Sequence, residues 1–268
     1  MKISPNFEIA EIFNIIMDKN VLYHHTRFDT LKLILTPDGI SFRGSYYDKF
    51  DNNDYQWTKR EVAPIIKELC ESSGEPYDSD SSFRPIIISF GQEPCSDYMW
   101  THYADDYSGV QIVLDYAEIK KYALSKLDYL HECVYMKDKV DMADFLANFT
   151  NLEVESVNHM QMNYEAISCL IKRPEFDKEK ETRYIHSYPY LFSIDYADYL
   201  AGKEDSFKEV SSEYDKKEHF INLPKSALLG MTVGYKSTDR LKEVEEHLAS
   251  CGFNVSKIKI QVYKPSGL

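Results

Sequence analysis

The chain lacks the signatures of disulfide-rich, membrane-spanning and exported proteins. Its five cysteines are scattered through 268 residues with no Cys-x-x-Cys pair, which indicates reduced thiols in a cytosolic protein. No run of 18 apolar residues is present, so no membrane-spanning helix is expected. The first residues, MKISPNFEIAEIF, carry acidic side chains within their apolar stretch, unlike a signal peptide. These absences predict a cytoplasmic protein with no membrane partner.

Several motifs of well-known enzymes and metal sites are also missing. The sequence contains no GxGxxG, P-loop, HExxH or GxSxG motif. The acidic segment around Asp51 and Asp54 lacks the glycine and the closing glutamate of a calcium loop. The histidines at positions 24, 25, 102, 131 and 186 are too dispersed to indicate zinc. We therefore expect no metal cofactor.

The composition is that of a globular protein with an acidic surface. Hydrophobic residues make up 43% of the chain, which includes 21 Tyr and 14 Phe, so a buried core is expected. The net charge of -13 disfavours non-specific binding to duplex nucleic acid, although a local basic patch could still bind RNA or DNA. No strong linker is present, and we predict one domain over residues 1–268 with polar insertions near 72–82 and 200–216.

The hydrophobic periodicity predicts strands and helices without a regular βαβ alternation, which favours an α+β fold. Strands are predicted near residues 20–25, 40–43, 85–90, 109–114, 133–136, 181–186, 218–223, 228–235 and 257–263. Helices are predicted near residues 7–18, 28–35, 59–73, 99–103, 118–130 and 239–251, with a longer helical region over 138–171 that breaks near Asn151. Residues 44–57, rich in Tyr, Asp and Asn, read as a loop.

The first segment that carries chemistry is Leu22-Tyr23-His24-His25-Thr26. On a strand, His24 and Thr26 share one face, and Tyr23 and His25 share the other. A histidine beside a threonine can hold a ribose hydroxyl and a carboxamide. The alternative is a structural histidine with satisfied hydrogen bonds, which the dipeptide alone favours.

The second segment is Ser89-Phe90, then Asp97-Tyr98-Met99-Trp100-Thr101-His102-Tyr103, then Gly109-Val110. Trp100 and Tyr103 lie three residues apart and therefore share one helical face. They could stack on a flat ring, whereas packing in the core is the more common role of such a pair.

The third segment runs from Lys172 to Arg183. Its Glu179, Glu181 and Arg183 share one face if the segment is a strand. Two carboxylates and a guanidinium on one face would form the charged wall of a cleft. The alternative is a ladder of surface ion pairs with little effect on stability. The cleft is favoured because three charges in register interrupt a buried pattern.

Read in order, these segments resemble a bacterial family of uncharacterised proteins. The motifs are YHHT, FDNND, IIISFG, MWTHYAD, GVQIVLD and KRPEFDKEKETR. The family pattern is similar to LYHYT…FND…SFS…MWxxY…G…KHPxFxxEKEWR, and the likeness runs from about residue 20 to 235. This chain departs from the pattern at His25, Arg173 and Thr182, where the family has Tyr, His and Trp.

The first segment also resembles the opening of the His-Tyr-Glu ADP-ribosyltransferases, such as the poly-ADP-ribose polymerases. Those enzymes begin with His-Gly-Ser/Thr, a helix and an "IL…GL" turn. Here His24-His25-Thr26, Ile34-Leu35 and Gly39-Ile40 stand in matching places, and His25 replaces the glycine. The resemblance implies an ADP-ribosyltransferase-like split antiparallel or mixed β-sheet with flanking helices and a helical insertion around residues 138–171.

The same resemblance implies roles for individual residues at an NAD site. Glu181 would bind the 2'-hydroxyl of the nicotinamide ribose, and Glu179 would orient the acceptor. Tyr46 or Tyr47 would stack on nicotinamide, a choice left open. The chemistry of its guanidinium, rather than the resemblance, gives Arg183 two alternative roles: clamping a pyrophosphate or neutralising Glu181. The resemblance also assigns His24 to the adenosine ribose and the backbone at His25 to the carboxamide. Thr26, Trp100 and Tyr103 are further candidate cofactor contacts, from the first and second segments.

The function implied is an NAD-dependent ADP-ribosyltransferase in which NAD is the substrate and the acceptor is a protein or a nucleic acid. A toxin or phage-defence effector is the expected context, with an antitoxin or regulatory protein as a further partner. One alternative is a non-catalytic module that binds a nucleotide or a partner on the same fold. Another is a metal-dependent nuclease that uses the carboxylates Asp51, Asp54, Glu179 and Glu181.

Overall fold

The protein is represented by a computed structural model. It describes residues 21–49, 52–74, 76–77, 85–94, 96–126, 128–153, 160–186 and 219–265. The helix predicted over residues 7–18, the carboxylate of Asp51 and the insertion predicted near 200–216 lie outside these residues.

Strands and helices are interspersed along the described chain. The strands are β1 (Val21–Thr26), β2 (Leu35–Thr36), β3 (Gly39–Tyr46), β4 (Ile86–Gly91), β5 (Val110–Asp115), β6 (Tyr129–Glu132), β7 (Val134–Tyr135), β8 (Ile171–Lys172), β9 (Glu181–His186), β10 (His219–Leu223), β11 (Leu228–Gly234) and β12 (Lys259–Tyr263). The α-helices are α1 (Phe28–Ile34), α2 (Asn52–Glu61), α3 (Ala63–Ser72), α4 (Asp97–His102), α5 (Tyr116–Ser125), α6 (Lys139–Glu153), α7 (Met160–Ser168) and α8 (Leu241–Ser250). Short 3-10 helices cover Tyr47–Lys49, Pro174–Glu179, Lys225–Ala227, Tyr235–Arg240 and Val255–Lys257.

Local sequence accounts for several of the helix boundaries. The side chain of Ser96 caps α4 by accepting from the backbone N–H of Met99, and Asp115 caps α5 in the same way. Gly252 follows α8 with a positive φ of 73°, the left-handed conformation that ends many helices.

Most of the strands form one mixed sheet with the order β10-β3-β4-β1-β5-β11-β12. The pairs along this path are antiparallel except β11 and β12, which are parallel. Strand β9 pairs with both β4 and β6, while β2 pairs with β3. Strands β7 and β8 form a separate parallel pair.

The sheet divides along one edge of β4. Its other edge pairs with β9 over the whole strand. The divided edge pairs with β3 at Ile86 and Ile87, and with β1 only through the pair Tyr23–Gly91. Between these contacts, Ile88–Phe90 has no paired strand on that edge within the described residues. Strands β1 and β3 therefore diverge, and a cleft opens between them.

Both faces of the sheet are buried under helices at β4 and β9. Ile88, Phe90 and Tyr184 belong to a core with residues of α1, α5 and α8. Ile87 and Ile185, which alternate with them, belong to a second core with residues of α3, α6 and α7. Since side chains alternate along a strand, the two cores lie on opposite faces.

The α+β prediction is confirmed, and the sheet is mixed; the specific ADP-ribosyltransferase fold remains a prediction. The loop prediction for residues 44–57 is wrong in part, because β3 extends to Tyr46 and α2 begins at Asn52. Polar residues hold this region: Tyr47 Oη and Thr58 Oγ1 lie 2.6 Å apart in the core. The helix predicted over 118–130 ends at Ser125, because Tyr129 instead pairs with β9.

The predicted helical region over 138–171 contains α6 and α7, and it ends in β8 rather than in helix. Across the ranges that the structure describes, no helix combines the length and the apolar character needed to cross a membrane.

Candidate functional site

The divergence of β1 and β3 forms a cleft of about 840 Å³. Its lining includes both His24 and Glu181, together with Ser89 of β4. A cleft of this volume lies within the usual range for small-molecule sites. The structure therefore places His24 and Glu181, which sequence reasoning had paired across one site, in the same cleft.

His24 lies on the apolar side of the cleft. Its ring meets Phe42 and Phe90 edge to face, with centroids 4.7 and 6.1 Å away. Its Nδ1 is 3.2 Å from the carbonyl oxygen of Ser89. Burial lowers the pKa of His24 to about 4, against the hydrogen bond with Ser89. The ring is therefore neutral, Nδ1 carries the proton that the carbonyl accepts, and Nε2 retains a lone pair.

His25 projects from the opposite face of β1 and also lines the cleft. It is 5% exposed, and its ring and that of Trp100 form a T-shaped pair at a centroid distance of 5.2 Å. Burial lowers the pKa of His25 to about 3. Thr26 is buried and pairs with Val110, and it is not among the described residues that line the cleft.

Glu181 lies in a buried position at the charged end of the cleft. Its Oε1 accepts from the Ser89 hydroxyl and from Arg183 Nε at 2.7 Å. Its Oε2 accepts from Lys172 Nζ at 2.5 Å and from Arg183 Nη2 at 3.3 Å. Burial alone would raise the pKa of Glu181, but Arg183 and Lys172 outweigh it and lower the pKa to about 2. The carboxylate is thus ionised and fully hydrogen-bonded.

Lys172 joins the carboxylates of this end into one cluster. Its ammonium contacts Glu179 Oε2 and lies 3.6 Å from Asp54 Oδ2, in addition to its bond with Glu181. Arg183 Nη2 lies 3.3 Å from the same Asp54 oxygen. Among the described side chains joined by these ion pairs, three carboxylates and two cations leave one net negative charge. Such an excess attracts a ligand group that is cationic or becomes so.

The side chains of Glu179 and Glu181 approach each other, but not along a strand as predicted. Glu179 ends the 3-10 helix Pro174–Glu179, and Lys180 adopts a left-handed conformation with φ of 41°. The strand begins at Glu181, so the shared face holds only Glu181 and Arg183. Lys172 brings Glu179 to them. Burial raises the pKa of Glu179, against the effect of Lys172.

Arg183 is almost fully buried and is held on several sides. It donates to Glu181 and, through Nη1, to the carbonyl oxygen of Cys169. Its guanidinium also lies 5.6 Å from the centre of the Tyr47 ring. Of the two roles left open for Arg183, neutralising Glu181 matches these contacts, whereas pyrophosphate binding would require breaking them.

Neither tyrosine proposed to stack on nicotinamide is among the described residues that line the cleft. Tyr47 is 4% exposed, and its hydroxyl bonds to Thr58. Tyr46 turns toward β10, where its hydroxyl lies 2.7 Å from His219 Nε2. The pairing of β3 with β4 explains this position. Both tyrosines stand at or directly after the end of β3 that pairs with β4, at Ser45 and Tyr46, and their rings pack outside the cleft.

The two aromatic residues of α4 have different positions. Trp100 is fully buried, stacks on Tyr263 at 4.9 Å, and does not line the cleft. It is a core residue, as the alternative interpretation held. Tyr103 is 45% exposed and lines the cleft. An aromatic wall is therefore present, supplied by Tyr103 and the neighbouring Tyr98.

Sequence reasoning gave no role to two residues of this site, although both stand in the segments that it singled out. Ser89 links β1 to β9, since its carbonyl bonds to His24 and its hydroxyl to Glu181. The signal was a hydroxyl in the otherwise apolar run Ile86–Phe90. Lys172 is 3% exposed, and its neighbourhood in the sequence offered no signal for that burial.

Three of the four carboxylates of the nuclease hypothesis, Asp54, Glu179 and Glu181, meet in the cleft. Lys172 lies among them, where a cation would otherwise be held. Within the described ranges, no group of three or more His, Cys, Asp or Glu side chains is positioned to bind a metal ion. The cluster thus gives the nuclease hypothesis no support.

Comparison with known proteins finds one partial match. Residues 99–184 match a family model described as "Protein of unknown function (DUF2971)". No curated protein and no solved structure matches the chain. The matched segment starts in α4 and ends in β9, so it includes Tyr103, Lys172, Glu179, Glu181 and Arg183 but not β1. Over these residues the chain is similar to an uncharacterised family, and nothing in the comparisons links that family to ADP-ribosyltransferases.

Proposed function

We propose that this protein is an NAD-dependent ADP-ribosyltransferase that uses the cleft between β1 and β3. The observation that carries the proposal is that His24 and Glu181 line the same cleft, from opposite faces of the divided sheet. In the resemblance described above, these two residue types hold the two riboses of NAD. The volume of about 840 Å³ is in the upper part of the range of small-molecule pockets, as a dinucleotide requires.

The chemistry assigned to the charged end is cleavage of one glycosidic bond. The bond between C1' of the nicotinamide ribose and the ring nitrogen breaks, and its electron pair stays on nicotinamide. A lone pair of the acceptor forms the new bond to C1', and the acceptor's proton is released. Positive charge develops on the sugar during this step, and the ionised Glu181 carboxylate stabilises it.

Glu179 suits the removal of the acceptor's proton. Burial raises its pKa, which makes its carboxylate a better base at neutral pH than an exposed glutamate. The acceptor approaches past Glu179 in this proposal, and it is a protein or a nucleic acid. Leu33 and Phe220 line the cleft and are 72% and 49% exposed. They provide apolar contact surface for the acceptor.

His24 and Tyr103 serve the binding of NAD. With Nδ1–H donated to Ser89, His24 Nε2 accepts a hydrogen bond from a ribose hydroxyl. Tyr103 takes the stacking role first assigned to Tyr46 or Tyr47, because its ring lines the cleft. Aromatic walls exclude water, which favours transfer over hydrolysis of NAD.

The test is label transfer from NAD carrying a labelled adenine, with cell lysate as the source of acceptor. Glu181→Gln is expected to lower nicotinamide release and label transfer about 10²–10³-fold, the range seen when a charge-stabilising donor is removed from an active site. Glu246→Gln on α8 is the matched control, since Glu246 is exposed and pairs with the exposed Lys242. Unchanged label transfer in Glu181→Gln would refute the proposal.

A second candidate is a module on the same fold that binds a nucleotide without chemistry. The hydrogen bonds of Glu181 favour this candidate. Ser89, Lys172 and Arg183 fill all four acceptor positions of its carboxylate, so none is left for a ribose hydroxyl. Calorimetry with NAD distinguishes the two. The module would bind NAD and leave it intact, whereas the enzyme would release nicotinamide.

A further inference from the structure

The pairing of Gln111 assigns the protonation state of His25. The side-chain nitrogen of Gln111 lies 2.8 Å from the carbonyl oxygen of Pro94, which can only accept. This contact identifies the atom as the NH₂ group. The same nitrogen lies 2.9 Å from His25 Nε2, so Nε2 accepts from it. In a neutral imidazole the proton is then on Nδ1.

The resulting N–H of His25 has no acceptor among the residues that the structure describes. His25 Nδ1 is buried and forms no hydrogen bond, although the residue lines the cleft. Leaving a buried donor without an acceptor is costly, and native structures rarely do so. A ligand that enters the cleft with a carbonyl oxygen would supply the missing acceptor.

The position of His25 relative to Glu181 suggests which carbonyl this is. Tyr23, Gly91 and Glu181 are aligned across β1, β4 and β9. Because side chains two residues apart share a face, His25 projects from the same face of the sheet as Glu181. A ligand group held by His25 therefore lies on the side of the sheet where Glu181 faces the reacting ribose.

We propose that Gln111 holds His25 in the Nδ1–H form, and that this N–H donates to the carboxamide oxygen of nicotinamide when NAD binds. The proposal rests on the function proposed above. It assigns His25 as a side-chain donor at a position where the His-Tyr-Glu enzymes have glycine, so it is a property of this chain. Gln111 is a positioning residue, since it acts only through His25.

Three ligands separate the carboxamide from the rest of NAD. NAD and nicotinamide carry the carboxamide, and ADP-ribose lacks it. His25→Phe keeps a ring against Trp100 but removes the donor. His25→Asn restores a donor, because the amide nitrogen of Asn can occupy the position of Nδ1. Calorimetry of each variant with NAD and ADP-ribose, together with melting curves to verify folding, gives the comparison.

We expect His25→Phe to weaken NAD binding about 2- to 12-fold, the equivalent of one neutral hydrogen bond, and to leave ADP-ribose binding unchanged. His25→Asn should regain most of the loss. In nitrogen-15 NMR of the wild-type imidazoles, His25 should carry its proton on Nδ1, and this signal should shift with NAD and nicotinamide but not with ADP-ribose. In Gln111→Leu the preference for Nδ1–H should be lost.

Different failures have different meanings. If wild-type protein consumes NAD while His25→Phe binds it normally and the Nδ1–H signal is unmoved, a buried water satisfies His25 and the inference is overturned, but the enzyme remains. A wild-type His25 protonated on Nε2 overturns the inference whatever the ligands do. If wild-type protein binds neither NAD nor ADP-ribose and releases no nicotinamide, the proposed function fails and takes the inference with it.

Discussion

Lys172 Nζ lies 2.5 Å from Glu181 Oε2 at the charged end of the cleft, with both side chains almost fully buried. The ammonium also contacts Glu179, so one lysine counterbalances two carboxylates. Removing it would leave these acids with Arg183 as the nearby cation. Breaking a buried ion pair from one side costs about 3–5 kcal/mol, because a charge stays buried without its partner.

Lys172→Met is therefore expected to lower the free energy of unfolding by about 3–5 kcal/mol. Urea denaturation followed by circular dichroism measures the change. Lys242→Met is the matched control, since Lys242 and Glu246 form an exposed pair worth under about 1 kcal/mol. Equal effects of the two substitutions would contradict the central position given to Lys172.

The two neighbouring histidines make folding sensitive to mild acid. Their pKa values in the folded protein are about 4 for His24 and about 3 for His25, lowered by burial from an ordinary value of 6.5. The unfolded chain binds their protons below pH 6.5 and the folded chain does not. Stability is thus retained above pH 6.5 and lost as the pH falls toward 4 and then 3, by up to about 1.4 kcal/mol per pH unit for each group.

His25→Asn removes one of the two groups. Its free energy of unfolding should fall less steeply than that of the wild type between about pH 6.5 and pH 5, a window above most carboxyl titrations. Urea denaturation at several pH values measures both slopes. Parallel slopes would mean that His25 is protonated in the folded protein.

Trp100 and Tyr103 should separate stability from binding. Trp100→Ala is expected to cost about 3–5 kcal/mol of stability, as for other large core aromatics, because the side chain is fully buried. Tyr103→Ala should change stability little and weaken NAD binding by about 1–3 kcal/mol, the value of a stacking contact. Thermal melts and calorimetry on both variants test this division, and the reverse pattern would return Trp100 to the binding site.

Gly109 should be intolerant of a side chain. A Cβ there would lie 2.3 Å from the carbonyl oxygen of Thr26, at the end of β1, and 2.8 Å from that of Ala104. Gly109→Ala must move backbone and is expected to cost about 1–3 kcal/mol. Gly91→Ala is the control, because its nearest contact would be an ordinary 3.7 Å to Tyr23. Equal stability of the two variants in urea would show that β1 yields without strain.

Much of the fold was predictable because it follows from local patterns. The apolar run at residues 85–90 predicted β4, and alternation at 181–186 predicted β9. Prediction failed where distant contacts decide. The polar residues 52–57 look like a loop, yet they lie in α2, where Asp54 meets Lys172 and Arg183.

The residues of the candidate site were also predictable only in part. His24, His25, Glu179, Glu181 and Arg183 were singled out from sequence, and all line the cleft. Their partners were not foreseen, because a hydrogen bond such as that between Ser89 and Glu181 joins residues 92 positions apart. Trp100 and Tyr103 share one predicted helical face and looked equivalent in the sequence. In the tertiary structure Trp100 is buried, where it stacks on Tyr263, whereas Tyr103 is not.

By itself, the sequence determined most of the strands and helices, since period-two and period-3.6 patterns are local properties of the chain. It also determined which side chains could carry charge or a hydrogen bond. Only the tertiary structure decided that β1 and β3 separate along one edge of β4, because strand order and register depend on contacts far apart in the chain. That separation brings an imidazole and a carboxylate into one cleft, and it sets the ionisation of both through burial and neighbouring charges.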